Sequence, residues 1–318
     1  MTASTPPILL TPDEIIGTRA VIDPVFLDSP LMRHPALDEA LGCAVTLKLE
    51  TLNPIRSFKA RGTEAVLSAI NPPPHAVVAA STGNFGQGIA WSARRRGIAA
   101  TIYVPDGANS QKVEAMRRLG AVVHLVEPGR DEADAAGEAA RETGALFIED
   151  GAYREIAAGA GTIAQELTAA GLEPDVVLVQ IGDGALVTGI GSWLKARSPG
   201  ARAVGVTARG APALAQSVET GRPVERRAET IADGMAITRP VAGAVEQVAA
   251  AVDEILPVSD DTMLAAMRLL AERAGVLAEP SGAAGIAALM EHRGRFEGSR
   301  VVSVITGSNV DPKLRRLA

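Results

Sequence analysis

The fold is decided by residues 76–105, which read AVVAASTGNFGQGIAWSARRRGIAATIYVP. The apolar run 76–80 predicts a buried strand, and the amphipathic segment 87–96, followed by Gly97, predicts a helix. The run 101–104 is rich in β-branched residues and predicts a second strand, which Pro105 ends. A strand, a helix and a strand in this order predict a parallel β-α-β unit.

The same alternation of short apolar runs and longer amphipathic segments continues to residue 150 and resumes after it. We therefore expect an α/β fold of two three-layer α/β domains with parallel sheets. Residues 1–75 and 151–318 are expected to form a large domain, with residues 76–150 inserted as a small one. The other expected elements are strand 45–50, helix 63–69, helix 111–119 capped by Ser110, strand 122–126, helix 131–142, strand 146–148, helix 157–170, strand 176–179, helix 188–197, strand 203–206 and strand 301–305.

The composition argues against several classes of protein. The 318 residues carry a formal net charge of -6, the pI is near 5.4, and no basic stripe suggests nucleic acid as a partner. Cys43 is the single cysteine, so an intrachain disulfide is impossible, which is typical of a reducing cytoplasm. Residues 1–14 show no export signal, and no apolar run reaches the roughly 20 residues of a membrane span. We expect a cytoplasmic protein that binds neither nucleic acid nor membranes.

Residues 51–62, TLNPIRSFKARG, place Lys59 beside Phe58 between an expected strand and an expected helix. The positive end of a helix dipole is expected to lower the pKa of such an amine and to free a fraction of it as a nucleophile. An amine of this kind can form a Schiff base with an aldehyde. Most lysines are solvated surface charges, so this turn alone does not decide the matter.

Three further loops follow expected strands at their carboxyl ends, where parallel sheets bind ligands. Ser81-Thr82-Gly83-Asn84 offers backbone N–H groups to a carboxylate or phosphate, or is an ordinary helix cap. Gly182-Asp183-Gly184-Ala185-Leu186 is a second candidate anion loop, or a turn that serves packing alone. It lacks both the dinucleotide fingerprint and a P-loop lysine. Thr306 places a hydroxyl after the last strand, where a heterocyclic nitrogen or the backbone would be its partner.

Taken together and in order, these loops resemble the fold-type II pyridoxal-phosphate enzymes over nearly the whole chain. Three motifs are most similar to those of threonine and serine dehydratases: SFKARG at 57–62, ETIADG at 229–234 and EPSGA at 279–283. The resemblance implies a tryptophan-synthase-β-like fold, pyridoxal 5′-phosphate as cofactor, a small amino acid as substrate and a homodimer. It also implies elimination of water and ammonia from a β-hydroxy amino acid such as threonine or serine, which leaves a 2-oxo acid.

The resemblance further implies a role for each loop. Lys59 would carry the cofactor as a Schiff base and act as the catalytic base, with Phe58 beside the ring. Asn84 would hold the cofactor's 3′-hydroxyl, and Thr306 would bind the ring nitrogen. The other implied contacts are with the substrate carboxylate, from Ser81, Thr82, Gly83 and Asn84, and with the phosphate, from Gly182, Asp183, Gly184, Ala185 and Leu186.

The sequence departs from the dehydratase pattern at a few positions. Phe85 stands where dehydratases usually have histidine, and Asp183 stands where the phosphate loop is usually all glycine. Thr82 occupies the place of the second serine that serine racemases use as a base. No metal site is expected, because the four histidines are scattered and residues 206–212 hold no acidic side chain. β-Replacement, racemisation and a catalytically silent binding protein stay open as alternatives.

Overall fold

The computed structural model describes residues 8–314, so residues 1–7 of the N-terminal segment that bears on export lie outside the described residues. Two separate sheets organise the chain. The larger has six strands in the order β1-β2-β10-β7-β8-β9, and the smaller has four in the order β5-β4-β3-β6, counted along the chain. The ten strands are β1 (Leu31–Arg33), β2 (Ala44–Leu49), β3 (Ala76–Ala80), β4 (Ala99–Pro105), β5 (Val122–Val126), β6 (Leu146–Phe147), β7 (Val176–Gln180), β8 (Arg202–Ala208), β9 (Glu254–Val258) and β10 (Arg300–Ile305).

Twelve α-helices of the described residues pack around these sheets. They are α1 (Pro12–Arg19), α2 (Pro35–Leu41), α3 (Lys59–Ala69), α4 (Asn84–Arg95), α5 (Ser110–Arg118), α6 (Glu132–Thr143), α7 (Arg154–Ala169), α8 (Ala185–Arg197), α9 (Ala213–Thr220), α10 (Ala244–Ala251), α11 (Asp260–Ala274) and α12 (Pro280–Glu291). Within residues 8–314, none of them is long and apolar enough to cross a membrane.

The parallel register of the large sheet brings several loops to one edge. β10 pairs in parallel with both β2 and β7, and Ile305 lies opposite Leu49. The chain therefore leaves β2, β7 and β10 on the same side of the sheet. The expectation of parallel sheets is confirmed for every strand except β1, which pairs antiparallel with β2 at the sheet's edge.

Predicted strands match the structure to within one or two residues, but several helices begin earlier than expected. The helices expected from residues 87 and 188 begin at Asn84 and Ala185. Close packing requires a small residue in the first turn of α4, because a Cβ at Gly86 would lie 2.4 Å from the sulfur of Met116. Ser110 is not a cap. Asn109 caps α5 instead, because its side chain accepts the N–H of Gln111 at 2.9 Å.

A buried ion network fixes α3 to the large sheet. The fully buried Arg61 pairs with Glu50 at 2.8 Å and with Glu166 of α7 at 2.6 Å. Lys48 of β2 adds a third cation contact, 2.5 Å from Glu166. Burial disfavours the Glu166 carboxylate, but these cations outweigh burial and lower the pKa of Glu166 to about 2. Because Arg61 lies two residues after Lys59, the network also sets the orientation of the first turn of α3.

The four strands of the small sheet all lie between residues 76 and 147, whereas the large sheet takes strands from both sides of that segment. We propose on this basis that residues 76–150 form a domain inserted between residues 1–75 and 151–318. The division itself stays a prediction.

Candidate active site

One cavity of about 380 Å³ opens at the carboxyl ends of β3, β7 and β10. Ala185 is the single predicted site residue that does not line it. The predicted residues in its wall are Phe58, Lys59, Ser81, Thr82, Gly83, Asn84, Gly182, Asp183, Gly184, Leu186 and Thr306. Loops that are far apart in the sequence therefore meet at one site, as parallel strands predict.

Lys59 is the first residue of α3, and the loop before it is tied to the end of β10. The N–H of Phe58 donates to the carbonyl oxygen of Thr306 at 3.1 Å, and a β-bridge joins Ser57 to Gly307. The Lys59 amine lies 5.0 Å from the centre of the Phe58 ring. These contacts hold the amine at the cavity wall.

Two carboxylates flank the Lys59 amine. Its nitrogen donates to Asp150 at 2.6 Å and to Asp183 at 2.9 Å. Burial disfavours the charged amine, but the negative charges of both aspartates outweigh burial and raise the pKa of Lys59. The expectation that a helix dipole lowers this pKa is therefore wrong, because two full anions within hydrogen-bond distance exceed the partial charge of a helix end.

The two aspartates have different environments. Burial and the nearby charge of Asp183 raise the pKa of Asp150 to about 7. Burial also acts on Asp183, but Lys59 and the N–H of Ala185, which donates to Asp183 at 2.8 Å, lower its pKa. The Asp183 carboxylate thus points toward Lys59 and the start of α8.

The loop after β3 supplies both a helix start and an amide. The hydroxyl oxygen of Ser81 accepts the N–H groups of Gly83 at 3.2 Å and Gly86 at 2.9 Å, so this side chain braces its own loop. The Asn84 amide donates to Glu279 at 2.5 Å and accepts from Asn309 at 2.8 Å. These two partners belong to loops beside β10, so Asn84 links the two sheets across the cavity.

A second ion cluster lies at the mouth of the cavity. The amine of Lys112, on α5, is 3.0 Å from Asp233 and 3.8 Å from Glu279. Gly83 leaves room for that lysine, because a Cβ at position 83 would lie 2.5 Å from the Lys112 side chain. The cluster joins the small sheet's helices to the loops of the large sheet.

The loop after β7 fits a phosphate. The N-cap residue Gly184 has no side chain, and Asp183 takes only the N–H of Ala185, so the other backbone N–H groups of the first turn of α8 remain available to an anion. Gly184 has a φ of +105°, and a Cβ at Gly182 would lie 2.2 Å from the carbonyl oxygen of Gly234. Small residues are therefore required for the backbone to line the cavity here.

Comparison with known proteins decides the family. The sequence matches the pyridoxal-phosphate dependent enzymes over residues 22–307. The chain belongs to the pyridoxal-phosphate dependent enzymes. The cofactor prediction is thereby confirmed, and the cavity suits pyridoxal phosphate: it combines a lysine amine, the side chain of Thr306 and the N-terminus of α8.

The relatives of this pyridoxal-phosphate dependent enzyme include the L-threonine ammonia-lyase of Thermotoga maritima, which is 33% identical over 307 residues, or 95% of this chain and 76% of the relative. The biosynthetic L-threonine dehydratase of Haemophilus influenzae is 33% identical over 289 residues; the match covers 89% of this chain but 56% of that longer protein.

Solved structures show the same architecture. A threonine deaminase from T.th. is 31% identical with a TM-score of 0.87, over 95% of this chain and 99% of that one. A pyridoxal 5′-phosphate-dependent aspartate racemase is 28% identical with a TM-score of 0.89, over 97% and 98% of the two chains. The predicted fold class and the resemblance to threonine and serine dehydratases are confirmed.

Sequence reasoning missed Asp150, Lys112 and the direct contact of Glu279 with Asn84. The position of Asp150 could have been predicted from the sequence. Asp150 follows the carboxyl end of β6, and the other predicted site residues also follow the carboxyl ends of strands. Lys112 has none, since its position depends on how α5 packs against the loop of Gly83.

Proposed function

We propose that this pyridoxal-phosphate dependent enzyme is a lyase that converts a β-hydroxy amino acid, such as threonine or serine, into a 2-oxo acid and ammonia. The observation that carries the proposal is the Lys59 amine in a cavity that meets the requirements of the cofactor, in a chain that resembles threonine ammonia-lyases over 95% of its length.

The residues that would hold the cofactor follow from the cavity. Lys59 would form the Schiff base, and the loop from Gly182 to Leu186 would bind the phosphate through backbone N–H groups. Asn84 has one amide hydrogen left after its bond to Glu279 and could donate it to the 3′-hydroxyl. The Thr306 hydroxyl faces the same cavity and would meet the ring nitrogen, with Phe58 beside the ring.

The residues around the substrate have separate tasks. The loop of Ser81, Thr82, Gly83 and Asn84 at the start of α4 would bind the substrate carboxylate. The N–H of Ser81 donates to Tyr103 and that of Gly83 to the Ser81 hydroxyl, so the N–H groups of Thr82 and Asn84 would make these contacts. The Lys59 amine, when released, would take the Cα proton as general base. Bound pyridoxal phosphate spreads the negative charge that develops at Cα. A neutral hydroxyl at Thr306 does not require a protonated ring nitrogen, which favours loss of the β-hydroxyl over transamination.

The experiment is an assay of purified protein, supplied with pyridoxal phosphate, on L-threonine, L-serine, 3-hydroxyaspartate and phenylserine. We expect a 2-oxo acid and ammonia in equal amounts from at least one of them, and none from Lys59→Ala. Lys195→Ala is the matched control, because its amine pairs with Asp253 at the surface. Absence of product from all four substrates would contradict the proposal, and sulfide-dependent product from O-acetylserine would favour β-replacement.

Racemisation is a second candidate, because the aspartate racemase has the same fold with a TM-score of 0.89. It requires a base on the face of the substrate opposite Lys59. Ser81 and Thr82 both line the cavity, but the Ser81 hydroxyl already braces its own loop, so Thr82 is the candidate. Chiral chromatography of the serine recovered from the assay tests it. D-Serine formed faster than pyruvate would favour a racemase.

We further propose a cytoplasmic homodimer. A single cysteine, buried at position 43, suits a reducing compartment. Light scattering on the purified protein measures the mass directly, and the value for one chain would contradict the dimer.

A further inference from the structure

The Lys59 amine is held by carboxylates that come from two different loops. Asp150 follows β6 and Asp183 follows β7, and their oxygens lie 2.6 and 2.9 Å from the lysine nitrogen. The two loops are packed together, since a Cβ at Gly151 would lie 2.8 Å from that of Asp183. Asp150 and Asp183 thus form a defined site around one primary ammonium group, which we call the ammonium site.

Carrying the cofactor removes this occupant. An ammonium group has three N–H donors, whereas the nitrogen of a Schiff base has at most one. At least one of the two carboxylates therefore loses its hydrogen bond from Lys59. Asp150 is already short of partners, because its Oδ1 is buried without a hydrogen bond in the part of the chain that the structure describes. Two carboxylates so close together resist carrying charge without a compensating cation.

The geometry decides which cation fits. Ca²⁺ takes six to eight oxygen ligands, and Mg²⁺ requires near-ideal octahedral geometry. Between Ile8 and Leu314, no group of three or more acidic, histidine or cysteine side chains is placed to hold a metal ion. A primary ammonium needs only hydrogen-bond acceptors, and the lysine nitrogen shows that both carboxylates reach one. The spacing of the two carboxylates in the ammonium site therefore fits a primary ammonium group.

We propose that Asp150 and Asp183 bind the ammonium group of the incoming amino-acid substrate, in the place that the Lys59 ammonium occupies in the cofactor-free protein. This inference rests on the proposed function, which makes the substrate an amino acid. The site adjoins the Lys59 nitrogen, which a substrate nitrogen would have to displace. It would orient the substrate before any bond is made.

The ammonium site binds the amine in its charged form. Burial disfavours an ammonium there, but the negative charges of Asp150 and Asp183 outweigh burial and raise the pKa of the Lys59 amine that they flank. A substrate ammonium between the same carboxylates would keep its proton for the same reason. The site therefore selects and orients the charged substrate, while Asp183 keeps its bond to the N–H of Ala185.

The direct test uses Lys59→Ala without cofactor, because this variant leaves the two carboxylates in place and removes the lysine amine. Calorimetric titration with ethylammonium should show binding, and tetramethylammonium, which has no N–H donor, should not bind. Adding Asp150→Asn should weaken ethylammonium binding about tenfold or more, as expected for a hydrogen bond to a charged group. If Lys59→Ala does not fold, the titration is repeated with Lys59→Met, whose side chain is similar in length to lysine but carries no charge.

A second measurement uses the loaded enzyme and follows the cofactor's absorbance as L-serine is added. Asp150→Asn should raise the half-saturating concentration about tenfold or more, while the absorbance before serine is added stays that of a Schiff base. Asp261→Asn, at an exposed position of α11 that does not line the cavity, is the matched control and should change neither.

The outcomes separate this inference from the proposed function. The enzyme could eliminate water from serine while the folded Lys59→Ala and Lys59→Met variants fail to bind ethylammonium. In that case the inferred ammonium site is refuted and the proposed function stands. If no substrate is consumed, ethylammonium binding to the cofactor-free variants still tests the site by itself. An unchanged half-saturating concentration in Asp150→Asn would also overturn the inference.

Discussion

Replacing Glu166 by glutamine should destabilise the protein more than any surface substitution. The carboxylate accepts hydrogen bonds from Arg61 and Lys48, both fully buried, and from the N–H of Asp28 at 2.8 Å. Glutamine keeps the size of the side chain but removes its negative charge. The two buried cations, Arg61 and Lys48, would then have Glu50 as the one remaining buried carboxylate to balance them. Breaking a buried ion pair on one side costs about 3 to 5 kcal/mol.

The expected change in Tm follows from the length of the chain. Unfolding entropy is about 2.1 cal/mol/K per residue, which for 318 residues amounts to about 0.67 kcal/mol/K. Glu166→Gln should therefore lower the Tm of the cofactor-free protein by about 4 to 8 °C. Scanning calorimetry measures it.

Glu138→Gln is the matched control, because its pair with Arg130 is about half exposed on both sides and is worth under about 1 kcal/mol. If the Glu166 and Glu138 variants had equal Tm values, burial would not be what makes the ion pair of Glu166 with Arg61 costly to break. The same network orients the first turn of α3, so Glu166→Gln should also bind pyridoxal phosphate more weakly than Glu138→Gln does.

Three further predictions follow from the described contacts. The pKa of Glu166 is lowered from 4.5 to about 2, so its ionised carboxylate adds on the order of 3 kcal/mol to the free energy of unfolding. This contribution is complete above pH 4.5 and is lost as the pH falls toward 2. Urea titrations at several pH values should show the loss in the wild type and not in Glu166→Gln. Gly182→Ala should cost about 1 to 3 kcal/mol and weaken cofactor binding in a fluorescence titration, whereas Gly200→Ala, with open space around its Cβ, should do neither. Asp183→Asn removes one of the two anions that raise the pKa of Lys59, so more of the amine should be neutral and reactive at neutral pH. Stopped-flow absorbance should show that the cofactor-free variant forms its Schiff base with added cofactor faster than the wild type does. A slower rate would contradict this.

Much of the fold could be predicted because most strands are short runs dominated by apolar residues, with a turn signal after them. β3, β5 and β10 are of this kind, and their positions were predicted to within one residue. β9 was not predicted, because Glu254 and Pro257 interrupt its apolar pattern. Helix starts depended on packing against glycine, which composition does not reveal.

The sequence predicted those residues of the candidate site that belong to local motifs. The loops of Lys59, Asn84 and Thr306 carry their own sequence patterns, and the parallel register brings them to one edge. The environment of Lys59 was mispredicted because its pKa depends on Asp150, which is 91 residues away in the chain. An interaction between two distant loops leaves no spacing that can be recognised in a single sequence.

Borohydride reduction shows whether Lys59 forms a Schiff base with pyridoxal phosphate. Protein incubated with the cofactor is reduced with borohydride, digested and examined by mass spectrometry. We expect a pyridoxyl-phosphate adduct on Lys59 and on no other lysine. An unmodified Lys59 peptide, or an adduct confined to Lys112, would contradict it.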